Sequence, residues 1–279
     1  MTRRRVKADK VHAVIVPMEN GVGGMFRDKR HLYDEHEMRW RLWNIIVPCC
    51  SLLNASLTIA TGWEQAKALR GDAVFPPDWD HQSLKHRQHL IGDVIMWSRG
   101  GETVPTISAS HHARRKVREV YARIGKPVVT LTMRKTYLPE RNSRKEDWFA
   151  AKARIEMAGY YGLLLHDTDE AMGRGSGFGE FNLDIRMACY QEAALNLQSN
   201  NGAASLCWFS DRPYRMFGAG VPAAEWEGLF VQQGLRLGES WPWARKDQKI
   251  VYGETSAQKI IAEFEAWKGE QKSAGAMRS

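Results

Sequence analysis

The sequence predicts an α/β protein with two similar lobes, each containing a parallel sheet flanked by helices, and with a cleft between them. Short apolar runs alternate with helical segments in both halves of the chain, a rhythm typical of parallel α/β sheets. The length of 279 residues and the hydrophobic content of 43% suit two domains of about 130–150 residues. We therefore expect an N-terminal lobe over 1–125 and a C-terminal lobe over 126–279, joined near Gly125.

The N-terminal half opens with an apolar run, Val11–Met18, that predicts a buried strand. A loop with three glycines follows it at 21–24, where bare backbone can approach a ligand. The later elements expected here are a helix over Glu35–Leu53 interrupted near Pro48, a strand over Ser56–Ala60, a helix over Trp63–Leu69, the apolar run Asp93–Trp97 and a helix over Arg114–Ile124.

The C-terminal half repeats this rhythm. Its expected helices are Ser143–Ala158, Leu183–Ala194, a start at Gly202–Phe209 and Ser256–Lys268; its expected strands are Val128–Met133, Tyr160–His166, Leu195–Gln198 and Arg215–Phe217. Ser143 with Glu146 three residues later matches a capping box, so we expect Ser143 to cap its helix.

The stretch from Lys126 to Ser143 has the pattern of an anion site. A β-branched apolar run stops at Arg134, and Arg141 and Asn142 follow just before the expected helix. In open α/β sheets, side chains at strand ends point into a crevice that also faces helix N-termini. We therefore expect Arg134, completed by Arg141 and Asn142, to bind a phosphate-bearing ligand.

A second anion-site pattern is Asn200-Asn201-Gly202, which lies between a short apolar strand and an apolar helix. Asn tolerates left-handed backbone and Gly has no side-chain barrier. The helix N-terminus after them would present free N–H groups to a diphosphate. The alternative is a polar helix cap without a ligand.

Other nucleotide motifs fit poorly. Neither glycine-rich stretch, 21–24 or 173–179, satisfies G-x-G-x-x-G, and no G-x-x-x-x-G-K-[ST] occurs, which disfavours a dinucleotide or P-loop enzyme. The strand end Asp167-Thr168-Asp169 forms a D-x-D pair that could hold Mg²⁺ or Mn²⁺ on a nucleotide diphosphate. In a two-lobe protein, Asp167 would instead accept from the ribose or base.

The distribution of charge along the chain suggests which class of partner it binds. Of the net charge of +8, +7 lies in residues 1–125, so a phosphorylated acceptor, an anionic membrane surface or nucleic acid is a candidate partner. No recognised nucleic-acid motif supports nucleic acid as the partner.

Four cysteines, none at zinc-ligand spacing, indicate buried free thiols in a reducing compartment. With no apolar leader or run of 18 apolar residues, we expect a cytoplasmic protein, with peripheral membrane contact as an option.

The C-terminal half resembles the nucleotide-sugar lobe of glycosyltransferases with two Rossmann-like lobes, the GT-B fold. Asn200, Asn201, Gly202, Ser205 and Leu206 stand at the D, [ST], G, H and L of the heptosyltransferase-like motif D-[ST]-G-P-x-H-L. Thr132-Met-Arg134-Lys135-Thr136 is similar to the H-x-R-R-T-D strand end of fucosyltransferases. Thr132 and Ser205 replace the histidines, and Asn200 replaces the aspartate.

The resemblance implies a metal-independent transfer of a hexosyl or deoxyhexosyl group from a nucleotide-sugar to a glycan or lipid-linked acceptor. It implies that Arg134 contacts the donor diphosphate. A transfer with inversion needs a base near the acceptor hydroxyl, and Glu19 at the end of the first strand is our first candidate, before Asp28, Asp34 and Glu35. The alternative is a degenerate, non-enzymatic module that binds an acidic partner.

Overall fold

The computed structural model describes residues 11–15, 39–69, 91–136, 139–167, 182–218 and 222–276. The chain divides into two compact units, Met1–Leu90 and Ile91–Ser279. The division at residue 90 differs from the lobe junction expected near Gly125. The acceptor and donor roles expected for the lobes remain predictions. No described helix combines the length and the apolar character that crossing a bilayer requires.

The N-terminal unit contains a parallel strand pair and short helices. Its described elements are β1 (His12–Ile15), a π-helical turn (Leu42–Ile46), α1 (Val47–Leu52), β2 (Ser56–Ile59) and α2 (Trp63–Ala68). The helix continues past Pro48, contrary to the expected interruption. Pro48 lies in the first turn of α1, and the preceding π-helical turn lets the Val47 N–H bond the Leu42 carbonyl, so the ladder shifts where proline would break it.

The C-terminal unit is a parallel α/β domain. Its elements in chain order are α3 (Ile91–Arg99), α4 (His111–Ile124), β3 (Val128–Thr132), a 3₁₀ turn (Pro139–Arg141), α5 (Lys145–Met157), β4 (Tyr161–Leu165), α6 (Leu183–Glu192), β5 (Leu195–Ser199), α7 (Ser205–Trp208), β6 (Tyr214–Phe217), α8 (Ala223–Gln232), β7 (Gln248–Val251) and α9 (Ala257–Ala276).

Most expected elements of this half are present, with three differences. The apolar run Asp93–Trp97, which the expected alternation counted as a strand, lies in α3. In this helix Ile95 is buried and its neighbour Met96 is 61% exposed, a contrast that a half-buried strand would also show. Helix α8 and strand β7 were not expected.

Helix α4 belongs to the C-terminal unit because charged and polar groups tie it to α6. Arg114 and Arg118 donate to the two carboxylate oxygens of Glu192 at 2.6 and 2.9 Å. Tyr121 Oη donates to the Cys189 carbonyl at 3.1 Å. Part of the basic run at 111–118 is therefore used in packing, and the rest, such as Arg115, is exposed to solvent.

The five strands of this unit form one sheet in the order β4-β3-β5-β6-β7, and every neighbouring pair is parallel. The chain moves outward from β3 to β4 and then crosses back over β3 to β5. This order is that of a doubly wound sheet of the flavodoxin type, which has a topological switch point between its first and third strands.

The two faces of the sheet differ in chemistry. On the face covered by α5 and α9, the strands contribute apolar side chains to one core. That core includes Val129, Leu131, Trp148, Ile155, Leu195, Leu197, Phe217, Ile260 and Phe264. The opposite face, covered by α6, is polar although it is buried: Thr130 Oγ1 donates to Asn196 Oδ1 at 2.6 Å, and Thr132 Oγ1 and Tyr190 Oη share a 3.0 Å hydrogen bond.

Helix α9 is fixed to the apolar face by a buried arginine on β6. Arg215 is fully buried; it donates to Glu263 at 3.2 Å, to Glu270 at 3.0 Å and to the Asp247 carbonyl at 2.7 Å. Lys249 donates to the other oxygen of Glu270 at 2.5 Å. Because the guanidinium is paired on several sides, its desolvation is compensated.

Two glycines give a matched test of packing around α8. A Cβ on Gly218 would lie 2.4 Å from Nε1 of Trp226, which is 2% exposed, whereas a Cβ on Gly228 within α8 would meet nothing within 4 Å. We expect Gly218→Ala to lower the free energy of unfolding by about 1–3 kcal/mol, and Gly228→Ala to raise it by about 1 kcal/mol. Urea denaturation of both variants checks this; equal effects would contradict the packing around Trp226.

The Glu270 pairs predict a pH dependence. Burial raises the pKa of Glu270, but its bonds to Lys249 and Arg215 outweigh burial, so its pKa lies below the ordinary value. Such a carboxylate stabilises the fold above its unfolded pKa of about 4.3 and loses this effect as the pH falls through the folded pKa. The Tm deficit of Glu270→Gln should therefore be largest near pH 7 and shrink below about pH 4. Glu225→Gln, an exposed change on α8, is the control; a deficit independent of pH would contradict the pairing.

Candidate functional site

The candidate site lies at the carboxyl ends of β3 and β5, where the connections leave the sheet toward opposite faces. Helix α5, which follows β3, packs on the apolar face. Helix α6, which leads into β5, contacts the polar face through Tyr190. A crevice opens at such a switch point because no connection crosses it, and ligands of open α/β sheets bind there.

Arg134 connects the two strand ends at this point. It follows β3, and its Nη1 donates to the Asn200 carbonyl beyond β5 at 2.6 Å. Its backbone N–H donates to Ser143 Oγ at 2.9 Å, and Ser143 Oγ shares a 2.6 Å bond with Ser199 Oγ at the end of β5. Both the backbone and the side chain of Arg134 are therefore fixed.

The electrostatic environment of Arg134 favours an added anion. Burial lowers the pKa of the guanidinium, the positive charge of Arg141 lowers it further, and Asp167 opposes the shift. The Nε atom is buried and has no hydrogen-bond acceptor. A half-buried cation beside a second cation gains stability when a negatively charged ligand arrives.

Asn142 holds the loop after Arg134 in shape. Its Oδ1 accepts from the Thr136 N–H at 2.6 Å, and its Nδ2 donates to the Thr136 carbonyl at 3.3 Å. Both polar atoms of this amide are therefore engaged by the loop backbone, which makes Asn142 a positioning residue in this structure.

Ser143 does not cap α5, contrary to the sequence prediction. The helix begins at Lys145, its N-cap position is Arg144, and no side chain bonds the first turn there. The Ser143 hydroxyl is instead used between Arg134 and Ser199. The capping-box pattern failed because tertiary partners compete for the same hydroxyl.

Asp167 and Asn201 join the ends of β3, β4 and β5. Asp167 Oδ2 accepts from the Lys135 N–H at 3.1 Å and from Asn201 Nδ2 at 3.4 Å. Asn201 Nδ2 also donates to the Met133 carbonyl at 3.2 Å, and its Oδ1 accepts from the Ala204 N–H at 2.8 Å. These two side chains fix the loops around the crevice.

The backbone of Asn200-Asn201-Gly202 differs from the expectation. None of the three has a positive φ, because Asn201 stabilises the turn through its side chain. The helix that follows has only four residues, α7, and the N–H groups of Ser205 and Leu206 already bond the carbonyls of Gly202 and Ala203. The prediction of a free helix N-terminus at this point is therefore wrong.

Backbone N–H groups without an acceptor lie in the turn that precedes α7. Among the described hydrogen bonds, the N–H groups of Asn201, Gly202 and Ala203 have no acceptor. Successive free N–H groups in a turn form a concave anion-binding surface. Gly202 is exposed and a Cβ there would meet nothing within 4 Å, so this backbone is open to a ligand.

The structure thus brings together most of the site residues expected from the sequence: Arg134, Asn142, Asp167, Asn200 and Asn201, with Arg141 near enough to affect Arg134. Ser205 lies on the same turn, where its hydroxyl donates to the Gly202 carbonyl at 2.6 Å. The other named carboxylates lie outside the described residues; they are Glu19, Asp28, Asp34, Glu35 and Asp169.

Sequence reasoning missed Ser199 and Gln198, which are buried at the end of β5. The available signal was their polarity next to the apolar residues Leu195 and Leu197 of the same strand. Within the described ranges, no group of three or more His, Cys, Asp or Glu side chains is arranged to hold a metal ion. The four cysteines carry free thiols; Cys189 and Cys207 are buried, and Cys49 and Cys50 are partly exposed.

Comparison with known proteins does not assign this chain to a family. Neither a protein-family model nor a curated protein sequence matches this chain. Among solved structures, the family 9 glycosyl transferase from Veillonella parvula DSM 2008 matches at 12% identity with a TM-score of 0.40, over 59% of this chain and 54% of that one. The chain thus spans about half the length of that neighbour, and a likeness this low supports no conclusion about activity.

The roles of Asn201 and Gly202 make different predictions for stability. Asn201→Ala would leave the Met133 carbonyl and the Ala204 N–H without their side-chain partner, so we expect it to cost about 1–3 kcal/mol in the free energy of unfolding. Gly202→Ala should leave stability nearly unchanged, because its Cβ meets open space. Urea denaturation measures both; a stable Asn201→Ala protein would contradict the positioning role of Asn201.

Proposed function

We propose that this chain is a glycosyltransferase that binds the diphosphate of a nucleotide-sugar at the carboxyl ends of β3 and β5. The observation that carries the proposal is Arg134, whose guanidinium joins these strand ends and keeps a buried Nε without an acceptor. The switch point of a doubly wound sheet is the general location of nucleotide sites in such folds.

The surrounding groups suit a diphosphate. Arg134 and Arg141 supply positive charge, and the turn at 201–203 supplies three N–H donors without acceptors. A diphosphate can use both kinds of donor, since guanidinium groups bind phosphate oxygens in a fixed geometry and backbone N–H groups approach them closely. Glycosyl transfer is supported further by the strand-end and Asn-Asn-Gly patterns that resemble GT-B enzymes.

In the proposed reaction the acceptor oxygen forms a bond to the anomeric carbon of the donor. The bond from that carbon to the β-phosphate oxygen breaks, and the nucleoside diphosphate leaves with the electron pair. Negative charge develops on the diphosphate, so fixed donors at Arg134 lower the barrier electrostatically without an obligatory metal. The acceptor proton passes to a base, for which Glu19 is our candidate from the sequence.

The proposed donor carries a hexose or deoxyhexose, and the proposed acceptor is a glycan or a lipid-linked saccharide received by the basic N-terminal part of the chain. Peripheral contact with an anionic membrane would suit the charge of +7 in residues 1–125. Asp167 is proposed to lie near the nucleoside, because it follows β4 and bonds Lys135 and Asn201.

A second candidate is a binding module without catalysis, and one observation favours it. Thr132, which replaces the histidine of the fucosyltransferase pattern, is fully buried and bonded to Tyr190. It has no proton-transfer chemistry at neutral pH. This alternative keeps an anion site at Arg134 and lacks turnover.

Arg134→Ala tests the diphosphate site. The variant should keep its fold, because the backbone bond to Ser143 remains, and should lose affinity for nucleoside diphosphates and nucleotide-sugars by a factor on the order of 10–100. Isothermal titration of a nucleotide panel, with and without EDTA, measures this. The control is Arg245→Ala: Arg245 is an exposed arginine shortly before β7, at the opposite, N-terminal edge of the sheet.

Unchanged affinity in Arg134→Ala would refute the site. Binding that disappears in EDTA would instead favour a metal at Asp167 and Asp169. Sugar release from the bound donor, followed with and without candidate acceptors, separates the transferase from the binding module.

A further inference from the structure

Gln198 is a buried polar side chain whose hydrogen-bonding groups are unused. It lies on the central strand β5, is 0% exposed, and neither its Nε2 nor its Oε1 has a partner. Among the residues that the structure describes, it is the one side chain with two such atoms. Burying an amide without hydrogen bonds is costly, so native proteins rarely leave both ends unmet.

Gln248 on the same face of the sheet provides the contrast. It is also buried, but its Nε2 donates to the carbonyls of Ser210 and Arg212, both at 2.9 Å, and its Oε1 accepts from the Arg245 N–H at 2.9 Å. The fold therefore satisfies a buried glutamine where the residue serves the structure. At Gln198 it does not.

Gln198 is located next to the proposed diphosphate site. It pairs in register with Thr132 on β3, two residues before Arg134, and it precedes Asn200, which accepts the Arg134 bond, by two residues. Two residues along a strand correspond to about 6.6 Å. Side chains alternate between faces, so Gln198 lies on the polar face, beneath the end of β5.

An amide offers one donor group and one acceptor, and it carries no charge. Its carbonyl oxygen would repel a phosphate, whereas a neutral group that both donates and accepts would satisfy it. A sugar hydroxyl and the edge of a nucleobase have this chemistry. The anion of the ligand would remain on Arg134.

We infer that a neutral donor–acceptor group of the ligand inserts beneath the end of β5, next to the diphosphate, and hydrogen-bonds the amide of Gln198, whose side chain is fully buried. This amide would form a specificity subsite on the polar face of the sheet. This inference rests on the proposed function, since the anion at Arg134 defines where the ligand lies. It assigns recognition of the neutral part of the ligand to β5 and recognition of its charge to the loop after β3.

The test compares Gln198→Met with Gln248→Met by thermal unfolding. Methionine keeps a similar volume and removes the amide. Gln198→Met should raise the Tm of the unliganded protein by about 2–4 °C, because it removes an unmet polar group. Gln248→Met should lower the Tm, because it leaves three backbone partners unmet. A Tm of Gln198→Met at or below the wild-type value would overturn the inference, since the fold would then satisfy this amide internally.

The second measurement is titration of Gln198→Met with inorganic pyrophosphate, UDP, GDP and their sugar conjugates. Pyrophosphate affinity should stay at the wild-type value, and the affinity for the larger ligands should fall about tenfold. A loss already seen with UDP or GDP identifies the base or ribose as the neutral group, and a loss confined to the conjugates identifies the sugar.

Equal losses for pyrophosphate and the larger ligands, or no loss at all, would overturn the inference while leaving the proposed function intact. A wild-type protein that binds none of these probes would refute the proposed function, and this inference with it. Titration of the wild-type protein therefore distinguishes failure of the proposed function from failure of the inference about Gln198.

Discussion

The pairing of β3 with β5 is the constraint on which the candidate site depends. From this pair the chain continues to α5 on one face and arrives from α6 on the other, so the carboxyl ends of the two strands stay uncovered. Arg134, Ser143 and Ser199 lock the strand ends to each other across this gap. The register of one strand pair therefore fixes the position of every donor proposed to face a ligand.

The polar groups at this edge divide into those that hold loops and those that remain available. The amides of Asn142 and Asn201 and the carboxylate of Asp167 are engaged by backbone groups or by each other. Among the described residues, the groups without a hydrogen-bond partner include the donors Arg134 Nε and the N–H groups of the 201–203 turn, and both the donor and the acceptor of the Gln198 amide. Donors that are fixed before a ligand arrives need little reorganisation when they bind it, and this division supplies such donors.

The sequence predicted four of the five strands of the C-terminal sheet; β3 and β4 in particular are runs of mostly apolar or β-branched residues, which have few structural alternatives. It missed β7, which begins with the polar residues Gln248 and Lys249. It failed where the run was short, as at Asp93–Trp97, since the four apolar residues after the aspartate fit a strand or one side of a helix. It also failed at Ser143 and Asn201, whose side chains bond partners far away in sequence, such as the Met133 carbonyl 68 residues from Asn201. Local rules assign such side chains to caps and left-handed turns, and only the assembled sheet reveals the competing partner. The position of Arg134 at a strand end was predictable, because the apolar, β-branched run that forms β3 stops at this residue.

The identity of the residues beside Arg134 constrains where proton transfer can occur in the proposed reaction. Thr132 is buried against Tyr190, and Asp167 accepts from the Lys135 N–H and the Asn201 amide. Ionising Tyr190 is also unfavourable, because burial raises its pKa to about 12. Thr132 and Tyr190 are thus suited to fixing structure, and neither is suited to accept a proton from a sugar hydroxyl at neutral pH. If the chain is a transferase, Arg134 would stabilise the leaving group, and the base has to be a residue other than these two.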